Sequence, residues 1–383
     1  MLSLFLWISV ASIGIQLLGL ALFVRFTSRP KPRLAPRATY PGVTILKPVF
    51  STEDSERENW DRFFHQDYPG AIQLLFVASH ENDPAVPLVR EFLAKYPQFD
   101  AKLVLSHTRR AYWKKIDAVY DGHQEAKHDF LIISDSDVQV GSDYVSQMVA
   151  ELEQPGVSLV STPQWDYGAN NFGSALKTLA NNADSATVVM IADTFARPKR
   201  LALGHSIGFR LSEFHQLRPD RWDVISRFLA EDLCYGYLFS EKGKLAVLRN
   251  VYCPVNFQDK SVSQVVSQKV RWLINQKMEA GNRWIYSLGV WLYPEIPALV
   301  YALCGGGWML FAVACAVRIV ASAAVELLYL GSLRMTPQWF WTVPLWDLSQ
   351  VYFFIHGFFK TRIAYHGKTY RVVNRHFLTL ADK

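Results

Sequence analysis

The segment Phe130-Leu-Ile-Ile-Ser-Asp135-Ser-Asp137 decides which fold this chain of 383 residues adopts. The four apolar residues at its start predict a short strand that is buried in a sheet. Two carboxylates follow that strand two residues apart, and their charge is costly there unless a partner compensates it. A divalent cation such as Mn²⁺ or Mg²⁺, which prefers hard oxygen ligands, would compensate it. A turn or helix cap made by the same residues is the alternative.

Further apolar runs on either side of this segment predict more strands. They are residues 43–46, 72–77, 102–105, 157–160 and 245–248, and helix-like pieces at 85–95, 112–125 and 142–153 lie between them. This alternation predicts an α/β domain with a mostly parallel sheet covered by helices, whose ligands bind beyond the carboxyl ends of the strands. No GxGxxG motif follows a strand and no GxxxxGK[ST] motif occurs, so dinucleotide-binding and P-loop folds lose their usual support.

Composition excludes several classes of protein. Half of the residues are hydrophobic and only 19% are charged, which excludes a disordered or collagen-like chain. Four cysteines without a CxxC pair exclude a small disulfide scaffold and argue against a zinc site. The net charge of +6 favours a membrane surface or an anionic small ligand over nucleic acid as the partner.

The first 24 residues carry no charge, which is the length that a helix needs to span a bilayer. Basic residues follow this stretch rather than precede it: Arg25, Arg29, Lys31, Arg33 and Arg37. We therefore predict a transmembrane anchor at 1–25 rather than a cleaved secretory signal, with the following residues in the cytoplasm.

A second apolar zone covers residues 284–360, and a basic tail follows at 361–383. If the middle of the chain and this tail are both cytoplasmic, the zone crosses the membrane an even number of times. Its three apolar pieces then predict two crossings and one interfacial segment. Residues 38–283, between the anchor and this zone, are long enough for one substantial cytosolic domain.

The pair Glu231-Asp232 is a second candidate site. Adjacent acids at the start of a helix are often caps. The functional alternative is a general base that takes a proton from an acceptor hydroxyl.

A third candidate lies between Ser261 and Trp272. On a helix, Gln268, Arg271 and Trp272 are three and four residues apart and share one face. An arginine suits diphosphate oxygens, and an indole suits a sugar or lipid. An amphipathic helix that only touches the membrane is the alternative.

Taken together, the order and spacing of these motifs resemble the membrane glycosyltransferases of the GT-A type, and more closely the ceramide glucosyltransferases, with bacterial-looking features. The motifs are Pro41-Gly-Val-Thr-Ile-Leu-Lys-Pro48, Phe63-Phe-His-Gln-Asp-Tyr-Pro69, Lys115-Ile-Asp117, Asp135-Ser-Asp137, Glu231-Asp232, Gln268-x-x-Arg271-Trp272 and His366-Gly-Lys-x-Tyr-Arg-Val372. The resemblance implies a GT-A (Rossmann-like) catalytic domain with transmembrane and interfacial helices. From Thr162 to Pro198 there is little resemblance.

The resemblance also implies a role for each matching position. Asp135 and Asp137 would hold a divalent cation (Mn²⁺ or Mg²⁺), with Asp135 also on the sugar-nucleotide. Asp232 would be the catalytic base, Glu231 would contact the substrate, and Lys115 would lie near the nucleotide. Either Glu81 or Asp83 would contact the uracil. Gln268, Arg271 and Trp272 would close over the diphosphate and the acceptor.

The implied activity is inverting, metal-dependent transfer of a hexose from a UDP-sugar to a hydroxyl of a membrane lipid. Ceramide is the expected acceptor, which implies a step of glycosphingolipid synthesis. A hopanoid, diacylglycerol or polyprenyl phosphate acceptor is the alternative within the same chemistry. A polysaccharide synthase and a lipid-binding protein without enzymatic activity are the rivals. The expected location is the inner membrane, if the source is a bacterium, with the catalytic domain facing the cytoplasm.

Overall fold

The computed structural model describes residues 2–50, 55–109, 111, 114–195, 201–228, 230–242, 245–248, 250–280, 282–331, 337–365, 368–373 and 377–380. The chain divides into two compact units. The sheet unit comprises Pro30–Gln164 and Ala196–Asn256, and the helical unit comprises Met1–Arg29, Trp165–Phe195 and Phe257–Lys383.

The strands are β1 (Val43–Val49), β2 (Ile72–Ala78), β3 (Asp100–Leu105), β4 (Phe130–Ser134), β5 (Val157–Ser161), β6 (Asp166–Tyr167), β7 (Ser206–Arg210), β8 (Leu245–Leu248), β9 (Val255–Asn256), β10 (Arg362–Tyr365), β11 (Lys368–Val373) and β12 (Phe377–Leu380). The helices are α1 (Leu2–Thr27), α2 (Glu56–Asp61), α3 (Ala85–Lys95), α4 (Lys114–Gln124), α5 (Tyr144–Leu152), α6 (Phe172–Asp184), α7 (Met190–Phe195), α8 (Leu211–His215), α9 (Arg221–Arg227), α10 (Glu231–Glu241), α11 (Val262–Ala280), α12 (Arg283–Leu288), α13 (Glu295–Leu303), α14 (Met309–Leu328) and α15 (Thr342–Phe359). Short 3₁₀ turns occupy Arg62–Phe64, Gly289–Leu292 and Pro337–Trp339, and a π-helical turn occupies Ser185–Val189.

The sheet unit is built on seven strands in the order β3-β2-β1-β4-β7-β5-β8. β1 pairs in parallel with β2 and β4, β2 with β3, and β5 with β8, while β7 runs antiparallel between β4 and β5. β1 and β4 are buried at every position, as expected of central strands covered on both faces. The prediction of a mostly parallel α/β sheet is confirmed.

The six predicted strands correspond to β1, β2, β3, β4, β5 and β8, and two of the three predicted helices are α3 and α5. The predicted helix 112–125 corresponds to α4, and its residues 112 and 113 lie outside the described part. Strand β7 was not predicted, because Ser206-Ile-Gly-Phe-Arg210 is short and contains glycine, a weak strand former. Its pairing with β4 and β5 is long-range in sequence, which local pattern cannot reveal.

The helical unit exposes apolar side chains to an unusual degree. All of the large hydrophobic side chains that are exposed in the described part of the chain belong to it, among them Trp7, Leu18, Val320 and Ile355. Two of its helices, α1 and α14, are long and apolar enough to cross a membrane. Their surfaces match a hydrocarbon environment better than water.

A buried arginine joins the helices of this unit. Arg318, at the middle of α14, is fully buried and donates from Nε to Asp347 of α15 at 2.7 Å and from a terminal nitrogen to Asp184 at 2.6 Å. The other terminal nitrogen donates to Gln16 of α1 at 3.0 Å and to Thr187 of the π-helical turn at 3.2 Å. One guanidinium therefore connects α1, α15 and the end of α6, and its charge is paired inside the helical unit.

The unit boundaries differ from the predicted domain limits. Residues 165–195 and 257–283, which the sequence assigned to the catalytic domain, cluster with the apolar helices. The reason is packing: Leu176 and Ala180 of α6 and Leu273 of α11 share an apolar core with Phe353 of α15. Neither segment is apolar enough to reveal this from its composition.

We predict that Arg318→Ala will strongly destabilise the helical unit, because it leaves the buried Asp347 and the partly buried Asp184 without their cation, at a cost of about 3–5 kcal/mol. Thermal unfolding of the detergent-solubilised protein measures this. The melting temperature of Arg318→Lys should lie between those of the native protein and Arg318→Ala, since an ammonium cannot reproduce the paired contacts to Asp347. Arg25→Ala, at an exposed arginine of α1, is the control; a variant of Arg318 as stable as this control would contradict the prediction.

Candidate active site

An ion cluster lies beyond the carboxyl end of β4, where the first pair of acids was predicted. The Lys115 ammonium, on the first turn of α4, lies 2.6 Å from Oδ1 of Asp135 and 3.3 Å from Oε1 of Glu231. The three side chains are about a quarter exposed. Burial opposes the charge of Lys115, but Asp135 and Glu231 outweigh it and raise the pKa of this lysine. The structure thus brings Lys115, Asp135 and Glu231 together from distant parts of the sequence.

Asp232 lies on the first turn of α10, beside Glu231. Its Oδ1 accepts a hydrogen bond from the backbone N–H of Leu233 at 2.9 Å, and its Oδ2 accepts one from the backbone N–H of Gly204 at 3.0 Å. Desolvation by the surrounding protein, together with the charge of Glu231, raises the pKa of Asp232 to about 7, although Lys115 acts in the opposite direction. A carboxylate with such a pKa is suited to accept a proton near neutral pH.

The backbone of residues 135–137, the acid turn, forms hydrogen bonds with neighbouring elements. The indole N–H of Trp60 donates to the carbonyl of Ser136 at 3.0 Å, and the side-chain amide of Asn59 donates to the carbonyl of Asp137 at 3.0 Å. The N–H of Asp135 donates to the carbonyl of His205 at 3.0 Å. The backbone that carries both carboxylates is therefore held by α2 and by the loop that contains His205.

Lys47 is a functional candidate that the sequence analysis missed. The register that pairs Leu46 with Ile133 brings this fully buried lysine level with Ser134. Its Nζ donates to the carbonyl of Asp135 at 2.8 Å and lies 3.9 Å from the ring centre of Phe63. Burial lowers its pKa to about 7, against the attraction of Asp135 and Asp137. A lysine in the middle of an apolar strand was the signal that could have identified it.

Asp135 and Asp137 offer the hard oxygen donors that Mg²⁺ or Mn²⁺ prefers. In the part of the chain that the structure describes, no group of three or more His, Cys, Asp or Glu side chains could hold a metal ion. Two aspartates alone are fewer oxygen ligands than such a cation takes, so the predicted role of Asp135 and Asp137 in holding a metal stays a prediction.

The two acids proposed for uracil have different surroundings. Asp83 is buried; its Oδ1 accepts from the N–H of Ala85 at 3.1 Å and its Oδ2 from the hydroxyl of Ser79 at 3.3 Å, so it serves the start of α3. Glu81 is exposed and forms an ion pair with Arg90. Of the two, Glu81 has the side chain that reaches solvent.

As predicted, Gln268, Arg271 and Trp272 lie on one helix, α11. All three residues are half-buried. This helix belongs to the helical unit, whereas Lys115, Asp135, Asp137, Glu231 and Asp232 belong to the sheet unit. The convergence of the two sets on one ligand stays a prediction.

The raised pKa of Asp232 predicts a pH-dependent penalty on stability. The folded protein holds this proton up to about pH 7, whereas the unfolded chain releases it near pH 4. Asp232 therefore costs the folded protein no stability at low pH, and it lowers the free energy of unfolding increasingly as the pH rises between these two values. We expect the melting temperature of Asp232→Asn, relative to the native protein, to be several degrees more favourable at pH 8 than at pH 5. The exposed Asp223→Asn is the control, and equal differences at both pH values would contradict the prediction.

Comparison with known proteins identifies relatives of this chain. The chain is 30% identical to ceramide glucosyltransferase of Candida albicans over 124 residues, which are 30% of this chain and 23% of that protein. It is 24% identical to ceramide glucosyltransferase 3 of Caenorhabditis elegans over 240 residues, which are 62% of this chain and 50% of that protein. The matched part thus spans half or less of the length of these curated relatives.

Among solved structures, the chain is similar to mannosyltransferase PcManGT from Pyrobaculum calidifontis, solved in complex with GDP-Man and Mn²⁺. The TM-score is 0.52 at 18% identity, over 92% of this chain and 98% of that one. This likeness confirms the predicted GT-A fold. The predicted resemblance to ceramide glucosyltransferases is confirmed as well: the model of glycosyl transferase family 21 matches residues 4–377, and the chain belongs to that family.

Proposed function

We propose that this protein transfers a hexose from a UDP-sugar to a hydroxyl of a membrane lipid, with inversion at the anomeric carbon and ceramide as the acceptor. The observation that carries the proposal is the placement of Asp232: a partly buried carboxylate that two backbone N–H groups hold beside an ion cluster containing Asp135 and Glu231. The names of the curated relatives support the choice of sugar transfer to ceramide.

In the proposed reaction Asp232 accepts the proton of the attacking hydroxyl. The hydroxyl oxygen forms a bond to the anomeric carbon while the bond from that carbon to the diphosphate oxygen breaks, and the bonding electrons leave with UDP. Asp232 then releases the proton to solvent. The two backbone N–H groups on Asp232 hold its carboxylate in place and leave oxygen lone pairs for the incoming proton.

Lys115 has a supporting role in this proposal. Its ammonium balances Asp135 and Glu231, so that the acids remain together before the donor binds. A divalent cation held by Asp135 and Asp137 would neutralise the diphosphate of the leaving group. We assign the uracil contact to Glu81, because Asp83 is engaged within its own turn.

The lipid acceptor explains the apolar surface of the helical unit. Drawing a lipid into water costs about 0.8 kcal/mol for each exposed CH₂ group, so the enzyme must act at the membrane. We propose that α1 anchors the protein and that α14 and α15 supply the two later crossings. α13 has nine residues, too few to span, and serves as the interfacial segment. Basic residues after α1 favour a cytoplasmic catalytic domain, at the inner membrane in a bacterium.

In the proposed role of α11, Arg271 binds the diphosphate while Gln268 and Trp272 close over the acceptor. The hydroxyl of a hopanoid or diacylglycerol would require only a change in the lipid pocket, whereas a polyprenyl phosphate would attack through a phosphate oxygen; these are the alternative acceptors. A polysaccharide synthase, which would need more membrane helices around a pore, is the less favoured alternative.

The direct experiment incubates the purified protein with a panel of UDP-sugars and lipid acceptors, with Mn²⁺, with Mg²⁺ or with EDTA, and detects products by mass spectrometry. We expect one hexosylated lipid and equimolar UDP, lost in EDTA. Asp232→Ala should reduce turnover at least 10²-fold while still binding UDP. No lipid product from any combination would contradict the proposed function.

Glu231→Gln should move the acid limb of the pH–rate profile to lower pH. The negative charge of Glu231 raises the pKa of Asp232, so removing it lets Asp232 ionise at a lower pH. The weaker base should also reduce the maximal rate. The pH dependence of kcat/KM checks this, with Glu241→Gln, at an exposed position of the same helix, as the matched control. An unmoved or raised limb would argue against Asp232 as the base.

Gly204→Ala should displace the Asp232 carboxylate. A Cβ at this position would lie 3.1 Å from Cβ and 3.2 Å from Oδ2 of Asp232, so the carboxylate must shift by a few tenths of an ångström. We expect kcat to fall about tenfold or more with unchanged UDP affinity, since a small misplacement of a catalytic group is costly. Gly14→Ala, where a Cβ meets no atom within 4 Å, is the control. A kcat equal to that of the control would show that this position does not constrain Asp232.

A further inference from the structure

A buried ion pair lies in the part of the chain where the resemblance to the family is weakest. The Lys177 ammonium of α6 lies 2.5 Å from Oδ2 of Asp166, and both side chains are almost completely buried. The side-chain amide of Asn181 donates to the same carboxylate at 3.0 Å, and Asn182 bonds both the backbone N–H and the carbonyl of Asp166. These contacts fix the position of Asp166, and hence of the ammonium.

The same ammonium lies near two aromatic rings. Its Nζ is 3.8 Å from the ring centre of Phe257 and 5.3 Å from that of Trp272. Both distances are within the roughly 6 Å range of a cation–π contact, and indole is the strongest aromatic partner. Trp272 as a whole is half-buried.

The backbones that carry these groups are packed together. Leu176 and Ala180 of α6 share an apolar core with Phe257 and with Val265 and Leu273 of α11. The distance between Lys177 and Trp272 is therefore set by two helices that contact each other within one unit, rather than by a mobile surface chain.

Stability alone does not explain the charges. Replacing a buried ion pair by apolar groups of similar size is often neutral or stabilising, because desolvation costs nearly as much as the attraction gains. Leucine or methionine would fill the same space, yet a lysine occupies it and meets the ring of a residue in the Gln268-x-x-Arg271-Trp272 motif.

We propose that Lys177, held by Asp166, is a positioning residue that orients the indole of Trp272 for the lipid acceptor. The inference rests on the proposed function, in which Trp272 closes over the acceptor, and it adds a determinant of acceptor binding. Lys177 acts through Trp272 and need not touch the lipid.

A double-mutant cycle tests the proposal. Asp166→Asn combined with Lys177→Met removes both charges without leaving either buried alone. We expect this pair variant to raise KM for the lipid acceptor about three- to tenfold with little change in kcat, which is the range of a cation–π contact. Combined with Trp272→Leu, the pair variant should cause no further rise, because the contact is already absent. An unchanged KM, or an equal rise in the Trp272→Leu background, would overturn the proposal.

A comparison of two Trp272 variants leaves the ion pair unchanged, which keeps the proposal testable if the pair variant does not fold. Trp272→Phe retains an aromatic ring for Lys177 and Trp272→Leu does not, so acceptor KM should rise more for leucine; equal values would overturn the proposal. Lys260→Met is the matched control, since Lys260 lies 5.7 Å from the same Phe257 ring and should leave acceptor KM unchanged.

A spectroscopic measurement separates this inference from the proposed function. In protein labelled with 5-fluorotryptophan, the ¹⁹F resonance of Trp272, assigned by its loss in Trp272→Phe, should shift in the pair variant and stay in place in Lys260→Met. If no lipid is glycosylated but this resonance shifts, the contact stands while the proposed function fails. A resonance that does not move in the pair variant would overturn the inference whatever the activity.

Discussion

The acids of the sheet unit can lie close together because the Lys115 ammonium lies between two of them. Asp135 follows a central strand and Glu231 begins a helix almost a hundred residues later, and both are within 3.3 Å of the same nitrogen. Without that cation, repulsion between the carboxylates would favour separating the end of β4 from α10. The pKa of Asp232 depends on the same balance, because burial and Glu231 raise it while Lys115 lowers it.

The remaining contacts of the sheet unit stiffen this arrangement. Trp60, Asn59 and Lys47 each donate to a carbonyl of the acid turn, and the loop at Gly204 and His205 bonds the turn on one side and Asp232 on the other. Buried donors of this kind cost free energy unless their partners are in place. The turn and the candidate base are therefore set by one connected network rather than by independent loops.

In the helical unit, single charged side chains lie among apolar helices. Arg318 and Lys177 are both buried, and each is paired with aspartate and lies near an aromatic ring. The two pairs differ in their surroundings. Arg318 joins helices that have wide apolar exteriors, whereas Lys177 contacts the motif-bearing helix α11. A charge at the centre of an apolar helix is tolerated because the helices around it supply every hydrogen bond that lipid cannot.

Local pattern in the sequence determined the strands β1 to β5 and β8, the apolar helices and the identity of the acids, because burial and charge are properties of the residues themselves. Tertiary structure alone decided that β7 enters the sheet, since its pairing with β4 and β5 is long-range and a glycine weakens its own signal. It also decided which neighbours matter: Gly204 and Lys177 look unremarkable in the chain, and they and Lys47 act through atoms far away in sequence. Asp83 and Glu81 were indistinguishable until their surroundings separated a capping carboxylate from an exposed one. The limits of the units followed the same rule, because α6 and α11 join the apolar helices through packed faces that their composition does not reveal.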